Sequence, residues 1–164
     1  MNDLELQRLS AAIGKRLQAA SATVTCAESC TGGWIAKVFT DISGSSAWFE
    51  RGFVTYSNEA KQELVGVAAA SLAQHGAVSE AVVREMAQGA QRAAQADYAL
   101  SVSGIAGPDG GSAEKPVGTV WFGFAAPGGK VVAKRQQFQG DREAVRRQSV
   151  AFALQTLQDD FLAN

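Results

Sequence analysis

The sequence holds one histidine, His75, two cysteines, Cys26 and Cys30, and three prolines in 164 residues. One imidazole and two thiols are too few for a structural zinc site of Cys and His ligands unless carboxylates complete it. Cys26 and Cys30 stand four positions apart, which is not the C-x-x-C spacing of a redox pair, and no second pair exists to build a cluster. They read as two reduced thiols. Charge of one sign is missing as well: 15 Lys and Arg against 16 Asp and Glu leave a net charge of -1, without the basicity of a general nucleic-acid binder. No apolar run approaches the roughly 20 residues of a membrane span. Asp3, Glu5 and Arg8 stand where a secretory signal would be apolar. These absences lead us to expect a cytoplasmic protein with no metal site, no nucleic-acid partner and no membrane partner.

What is present is enough apolar sequence for one core. Hydrophobic residues make up 46% and charged residues 19%, and the length is that of a single domain, spanning 1–164. Leu6, Leu9, Ile13 and Leu17 recur at steps of three and four, which predicts a helix over 4–20. The β-branched run 22–27 predicts a strand ending at Glu28-Ser29-Cys30-Thr31-Gly32-Gly33, with a helix over 34–39 after it. The aromatic run 48–56 predicts another strand, followed by a short helix capped by Ser57 or Asn58. A helix over 64–74 should stop at His75-Gly76, and Ser79 should cap one over 80–95. The segment 98–103 predicts a central strand, 104–116 a loop, and 117–126 with 130–138 a hairpin around Pro127-Gly128-Gly129. A last helix follows Gly140-Asp141 to about Leu162. This alternation predicts an α/β domain in three layers, a mixed sheet covered by helices on both faces. Ligands in such sheets gather at the carboxyl ends of strands, here 28–33, 56–61 and 103–111.

Ser29 falls where a strand passes into a helix, and free amides of a first helical turn can stabilise an anion at such a place. Gly32 and Gly33 allow close backbone approach, as in a nucleophile elbow, although G-x-S-x-G is absent. Two readings stand side by side: Ser29 as a nucleophile, or Ser29 or Thr31 as an ordinary N-cap. A nucleophilic serine needs a base, and His75 beside Gly76 suits a helix C-terminus instead. A Ser-Lys pair with Lys61 is the remaining arrangement, against a solvated helix face over 58–63. Lysine serves as a base only when neutral, which calls for burial or a neighbouring cation. The loop with Ser103, Gly104 and Gly107 could wrap a ligand with its amides or be an ordinary mobile loop, and it carries neither phosphate-loop nor dinucleotide glycine spacing. Arg142 and Arg146, four apart on one helix, suit a phosphate or simply solvent. The Cys30 thiol beside the same turn is a second candidate nucleophile.

Taken together, AESCTGG at 27–33, GFVTYSN at 52–58 with Lys61, and SGIAGP at 103–108 with GTV at 118–120 closely resemble one family. It is the C-terminal domain of competence/damage-inducible protein A, and the likeness runs over nearly the whole chain with its segments in order. Stand-alone members are nicotinamide-nucleotide amidases. The resemblance therefore implies hydrolysis of the carboxamide of nicotinamide mononucleotide to nicotinate mononucleotide and ammonia, a recycling step for pyridine nucleotides. It implies no metal or organic cofactor, and a homo-oligomer. Position by position it implies Ser29 as nucleophile, Lys61 as base and Tyr56 as a hydroxyl that positions or relays the proton. Cys30, Thr31, Gly32 and Gly33 would face the substrate and stabilise the oxyanion. Its phosphate would rest on Ser103, Gly104 and Gly107, or on Arg142 and Arg146. The larger N-terminal domain of two-domain members is not in this sequence, and no role of that domain is expected of it. A non-catalytic nucleotide-binding or protein-interaction module that has kept the pocket is the alternative class.

Overall fold

The computed structural model describes residues 1–163, whose five strands form one sheet in the order β2-β1-β3-β4-β5. These are β1 Val24–Glu28, β2 Phe53–Val54, β3 Tyr98–Gly104, β4 Thr119–Ala126 and β5 Lys130–Gln137. β1 runs parallel to both β2 and β3, with Glu28 opposite Val54 and Val102, and β4 and β5 complete the sheet antiparallel. The helices are α1 Asp3–Ala19, α2 Trp34–Thr40, α3 Asn58–Val65, α4 Ala69–His75, α5 Glu80–Ala94 and α6 Arg142–Thr156.

Alternation along the strands sorts side chains by size. Large ones, among them Leu100, Val102, Phe122 and Phe124, go to the face covered by α1, α2 and α6. Small ones, Ala27, Ala99 and Ala125, go to the face covered by α3 and α5, where the larger Phe53 and Trp121 are only partly buried. Small residues let a helix sit close. The Ser101 hydroxyl donates to Val83 O of α5 at 2.6 Å, and a Cβ added to Gly123 would lie 2.2 Å from that same oxygen. The mixed, two-sided sheet expected from the sequence is thus the observed one. Among the described residues no helix is long and apolar enough to cross a membrane.

Two local expectations fail for physical reasons. The run 48–56 is mostly not a strand: only Phe53–Val54 pairs with β1 in a ladder, while Trp48 and Phe49 are drawn into the core against Phe39. Arg51 O accepts from the Thr25 hydroxyl at 2.7 Å, which bends the chain between the two. The helix expected over 64–74 starts only at Ala69, because Leu64 and Val65 belong to the short helix capped by Ser57, which Gly66, at φ +71°, ends in the left-handed conformation. Ala68 then gives its amide to Glu85 as α4 begins. The last helix ends where expected, near Leu162, but its final turn, Leu157 to Phe161, is π-helical and the α-helix itself stops at Thr156.

α3 leans on α5 at Gly89, where an added Cβ would stand 1.6 Å from Val65 O. That contact sets the height of α3 above the sheet. Gly89→Ala should therefore destabilise the protein by about 2 kcal/mol or more, within the usual range for overpacking. Urea unfolding measures it, and an unchanged midpoint would refute the close approach.

Candidate active site

β1 delivers its last residue, Glu28, to a place where no water reaches. The Glu28 carboxylate accepts from the amides of Ile35 at 2.8 Å and Ala36 at 3.0 Å, the first turn of α2. A buried carboxylate is tolerated only with such partners. This corrects the sequence expectation for Ser29, which does not stand at the helix start. α2 begins five residues later, with Gly33 as its N-cap and no capping side chain, so neither Ser29 nor Thr31 serves as a cap. The positive end of the helix is already matched to Glu28.

Ser29 instead opens a tight turn. Its amide continues the ladder by donating to Val102 O at 2.9 Å, and its carbonyl accepts from the Gly32 amide at 3.1 Å. Gly32 and Gly33 take φ of +58° and +101°, which only glycine adopts readily, and they return the chain into α2. The amides of Cys30, Thr31 and Gly33 have no acceptor among the described residues.

Lys61 reaches this turn from α3, whose N-cap Ser57 accepts from the Ala60 amide. Its side chain is 1% exposed, not solvated. Nζ lies 3.1 Å from Ser29 Oγ and donates to Thr55 O at 2.9 Å and Tyr56 O at 3.4 Å. Among the described residues no carboxylate forms an ion pair with it. Burial lowers its pKa below the ordinary lysine value of 10.5. Thr55 is anchored in turn, its amide and hydroxyl both donating to Glu28 O, at 2.7 and 3.2 Å.

Ser29, Cys30, Tyr56, Gly104, Ala106 and Arg142 surround a cavity of about 300 Å³. Arg142 spans its mouth, donating to Gly107 O at 2.8 Å and to the Tyr56 hydroxyl at 3.3 Å. The Tyr56 hydroxyl thus meets Arg142, and no hydrogen bond joins it to Ser29 or Lys61. Ser103 is buried in β3 next to Val102, the partner of Glu28, and lies outside the cavity wall. Arg146 stands behind the turn, bonded to Cys30 O and Thr31 O. Burial pushes the Cys30 thiol up to about 11, so it is protonated at neutral pH and a poor nucleophile. Sequence reasoning missed Glu28 and Thr55. An acidic residue closing an apolar strand is a signal for the first; the second acts through its carbonyl, which no residue type announces. Among the described residues no group of three or more His, Cys, Asp or Glu could hold a metal ion.

The CinA C-terminal domain family matches residues 6–161, and the chain belongs to it. It is 68% identical over 164 residues to the nicotinamide-nucleotide amidohydrolase PncC of Escherichia coli (strain K12), covering 100% of this chain and 99% of that protein. The protein of that name from Pseudomonas putida is 54% identical over 149 residues, 91% of this chain and 92% of its own. Among solved structures, the competence damage-inducible protein A of Klebsiella pneumoniae superposes with a TM-score of 0.92 at 42% identity, covering 97% of this chain and 98% of that one. The competence/damage inducible protein of Agrobacterium tumefaciens gives 0.91 at 42%, over 96% and 94%.

The lowered Lys61 pKa has a consequence for stability. Between the folded pKa and the unfolded value of about 10.4, the unfolded chain holds a proton at this lysine that the folded chain does not. Folding stability therefore gains from rising pH across that window. Measured by urea unfolding, the wild type should gain relative to Lys61→Met as pH rises from 7 toward 10, and a pH-independent difference would contradict a buried, pKa-lowered amine.

Proposed function

We infer that the chain is a nicotinamide-nucleotide amidohydrolase that works by a serine nucleophile and a lysine base. The amidohydrolase assignment is supported by 68% identity over the full chain to a protein of that name. The observation that carries the mechanism is the disposition of Lys61 Nζ, with two carbonyls at 2.9 and 3.4 Å and the Ser29 hydroxyl at 3.1 Å. A neutral amine has two N–H donors and one lone pair. The carbonyls of Thr55 and Tyr56 take the donors, which leaves the lone pair to accept the Ser29 proton.

In the forward step Ser29 Oγ bonds to the carboxamide carbon of nicotinamide mononucleotide while its proton passes to Lys61 Nζ. The carbonyl oxygen becomes an oxyanion, which the free amides of the 29–33 turn receive; Ser29 N and Gly32 N are spent within the fold, which leaves Cys30, Thr31 and Gly33, and the two that follow Ser29 directly, Cys30 and Thr31, are the donors we assign. Lys61 returns the proton to the departing nitrogen, the C–N bond breaks, and ammonia leaves an ester on Ser29. Water, deprotonated by Lys61, attacks that ester. The C–O bond to Ser29 breaks, its oxygen is reprotonated, and nicotinate mononucleotide is released to pyridine nucleotide recycling.

Arg142 suits the substrate phosphate. It faces the Ser29 cavity, and among the described residues it has no carboxylate partner, only the Gly107 carbonyl and the Tyr56 hydroxyl. A phosphate would meet a positive charge already held in place. Tyr56 is placed by the same bond at the mouth, as a wall of the cavity and support for Arg142, a role that replaces proton relay.

Purified protein with nicotinamide mononucleotide and no added metal should release ammonia and nicotinate mononucleotide. Ser29→Ala should lower kcat by at least about a thousandfold, and Ser29→Ala at wild-type rate would overturn the mechanism. The pH profile of kcat/KM should rise with loss of the Lys61 proton, at a midpoint below 10.5. Arg142→Ala should raise KM by about tenfold or more with kcat little changed, as loss of a charge-assisted contact predicts.

A further inference from the structure

The turn that follows Ser29 is held from outside the Ser29 cavity. Arg146, on α6, donates from Nε to Cys30 O at 3.0 Å and from Nη2 to Thr31 O at 3.3 Å. It does not line the cavity that holds Ser29 and Arg142, but a second one of about 420 Å³, whose wall includes Thr31, Gly32 and Gly33 of the turn together with Trp34, Lys37 and Arg147. The Trp34 ring lies 5.6 Å from its guanidinium, which adds a cation–π contact to the two hydrogen bonds. A planar fork so held has little freedom left to swing toward a substrate.

Its effect on the turn follows from peptide geometry. A trans peptide carries its N–H opposite its C=O, and the Cys30 carbonyl shares a peptide unit with the Thr31 amide. A guanidinium fixed on Cys30 O therefore turns the Thr31 N–H away from Arg146. That amide has no acceptor among the described residues. A carbonyl that accepts from a cation also polarises its own peptide, which makes the N–H on the other side a stronger donor. We propose that Arg146 is a positioning residue for the oxyanion-binding amides of the turn and not a ligand of the substrate phosphate. The inference rests on the amidase reading of Ser29 and separates two arginines that lie four residues apart on one helix.

The test compares wild type, Arg146→Ala, Arg146→Lys, Arg142→Ala and Ser29→Ala on nicotinamide mononucleotide and on the corresponding riboside, which lacks the phosphate. Arg146→Ala should lower kcat by at least about tenfold, by the same factor on both substrates, with KM within about twofold, as loss of oxyanion stabilisation requires. Arg146→Lys, with one point donor in place of the fork, should also lose kcat. A rise in KM confined to the phosphorylated substrate would make Arg146 a phosphate ligand and overturn the proposal, as would an unchanged kcat. A second readout does not depend on turnover or on the variant's kinetics. The Thr31 amide resonance should shift and exchange faster with solvent in Arg146→Ala than in wild type, both at pH 7 and with equal far-UV spectra; an unmoved resonance overturns the proposal. Wild type inert on both substrates, or Ser29→Ala fully active, would instead overturn the amidase reading and this inference with it, and neither outcome involves an Arg146 variant.

Discussion

A primary amine buried without a counter-ion is the constraint around which the site is organised. Lys61 is 1% exposed and meets two carbonyls and a hydroxyl, none of which carries the charge that would keep an ammonium content. The rest of the fold bears the cost of that placement. α3 must be short, which Gly66 ensures, and it must ride on α5 at Gly89. The small-residue face of the sheet lets α5 sit close enough to receive it. Thr55 must hold its carbonyl toward Nζ, and its two bonds to Glu28 O fix it there. A lysine paired with a carboxylate would hold its proton more tightly.

Glu28 is the acidic counterpart, and its treatment is the opposite. Its carboxylate is as deeply buried but is met by two helix amides, so the negative charge has the partners that Lys61 lacks. One result is electrostatic. Because α2 directs its first amides to Glu28, the stabilisation available beside Ser29 comes from individual peptide groups of the turn and not from a helix end. Another is mechanical: Glu28 joins the turn, through α2, to the strand that anchors Lys61, through Thr55. Ser29 and Lys61 are thereby referenced to one residue of the central strand.

The sheet and the gathering of 28–33, 56–61 and 103–111 at its carboxyl edge were legible because they depend on periodicity and chain order, which one sequence displays. The details that went astray depend on tertiary competition. In 48–56 the aromatic residues favoured a strand, but Trp48 and Phe49 gain more by packing on Phe39 than by extending β2. The break at Gly66 was written in the sequence and was overridden by the apolar spacing around it. For Ser29 the misjudged point was the helix start, since strand-turn-helix patterns look alike whether the first helical amides are free or already taken by a preceding carboxylate. Lys61, by contrast, looked like a residue of a charged surface helix. Its burial comes from the cover of its neighbours and could not be read from the string Asn58-Glu59-Ala60-Lys61-Gln62-Glu63.

Three cations converge on a five-residue turn, and their chemistry explains why they are not alike. Only lysine can shed its proton within reach of neutral pH once buried, so the position facing Ser29 Oγ is a lysine. Guanidinium keeps its charge in any environment a protein offers, which suits the two outer positions, one across the cavity mouth and one behind the turn. Arg142 has only neutral partners, a carbonyl and a phenol, so its positive charge is left uncompensated toward the cavity, where an anionic group gains most from it. Arg146 is likewise bonded to carbonyls, but on the closed side of the backbone, where its charge acts through the peptide it polarises. Exchanging the residue types would change each place: an arginine facing Ser29 would keep its charge in the buried position, and a lysine behind the turn could not grip two carbonyls in one plane.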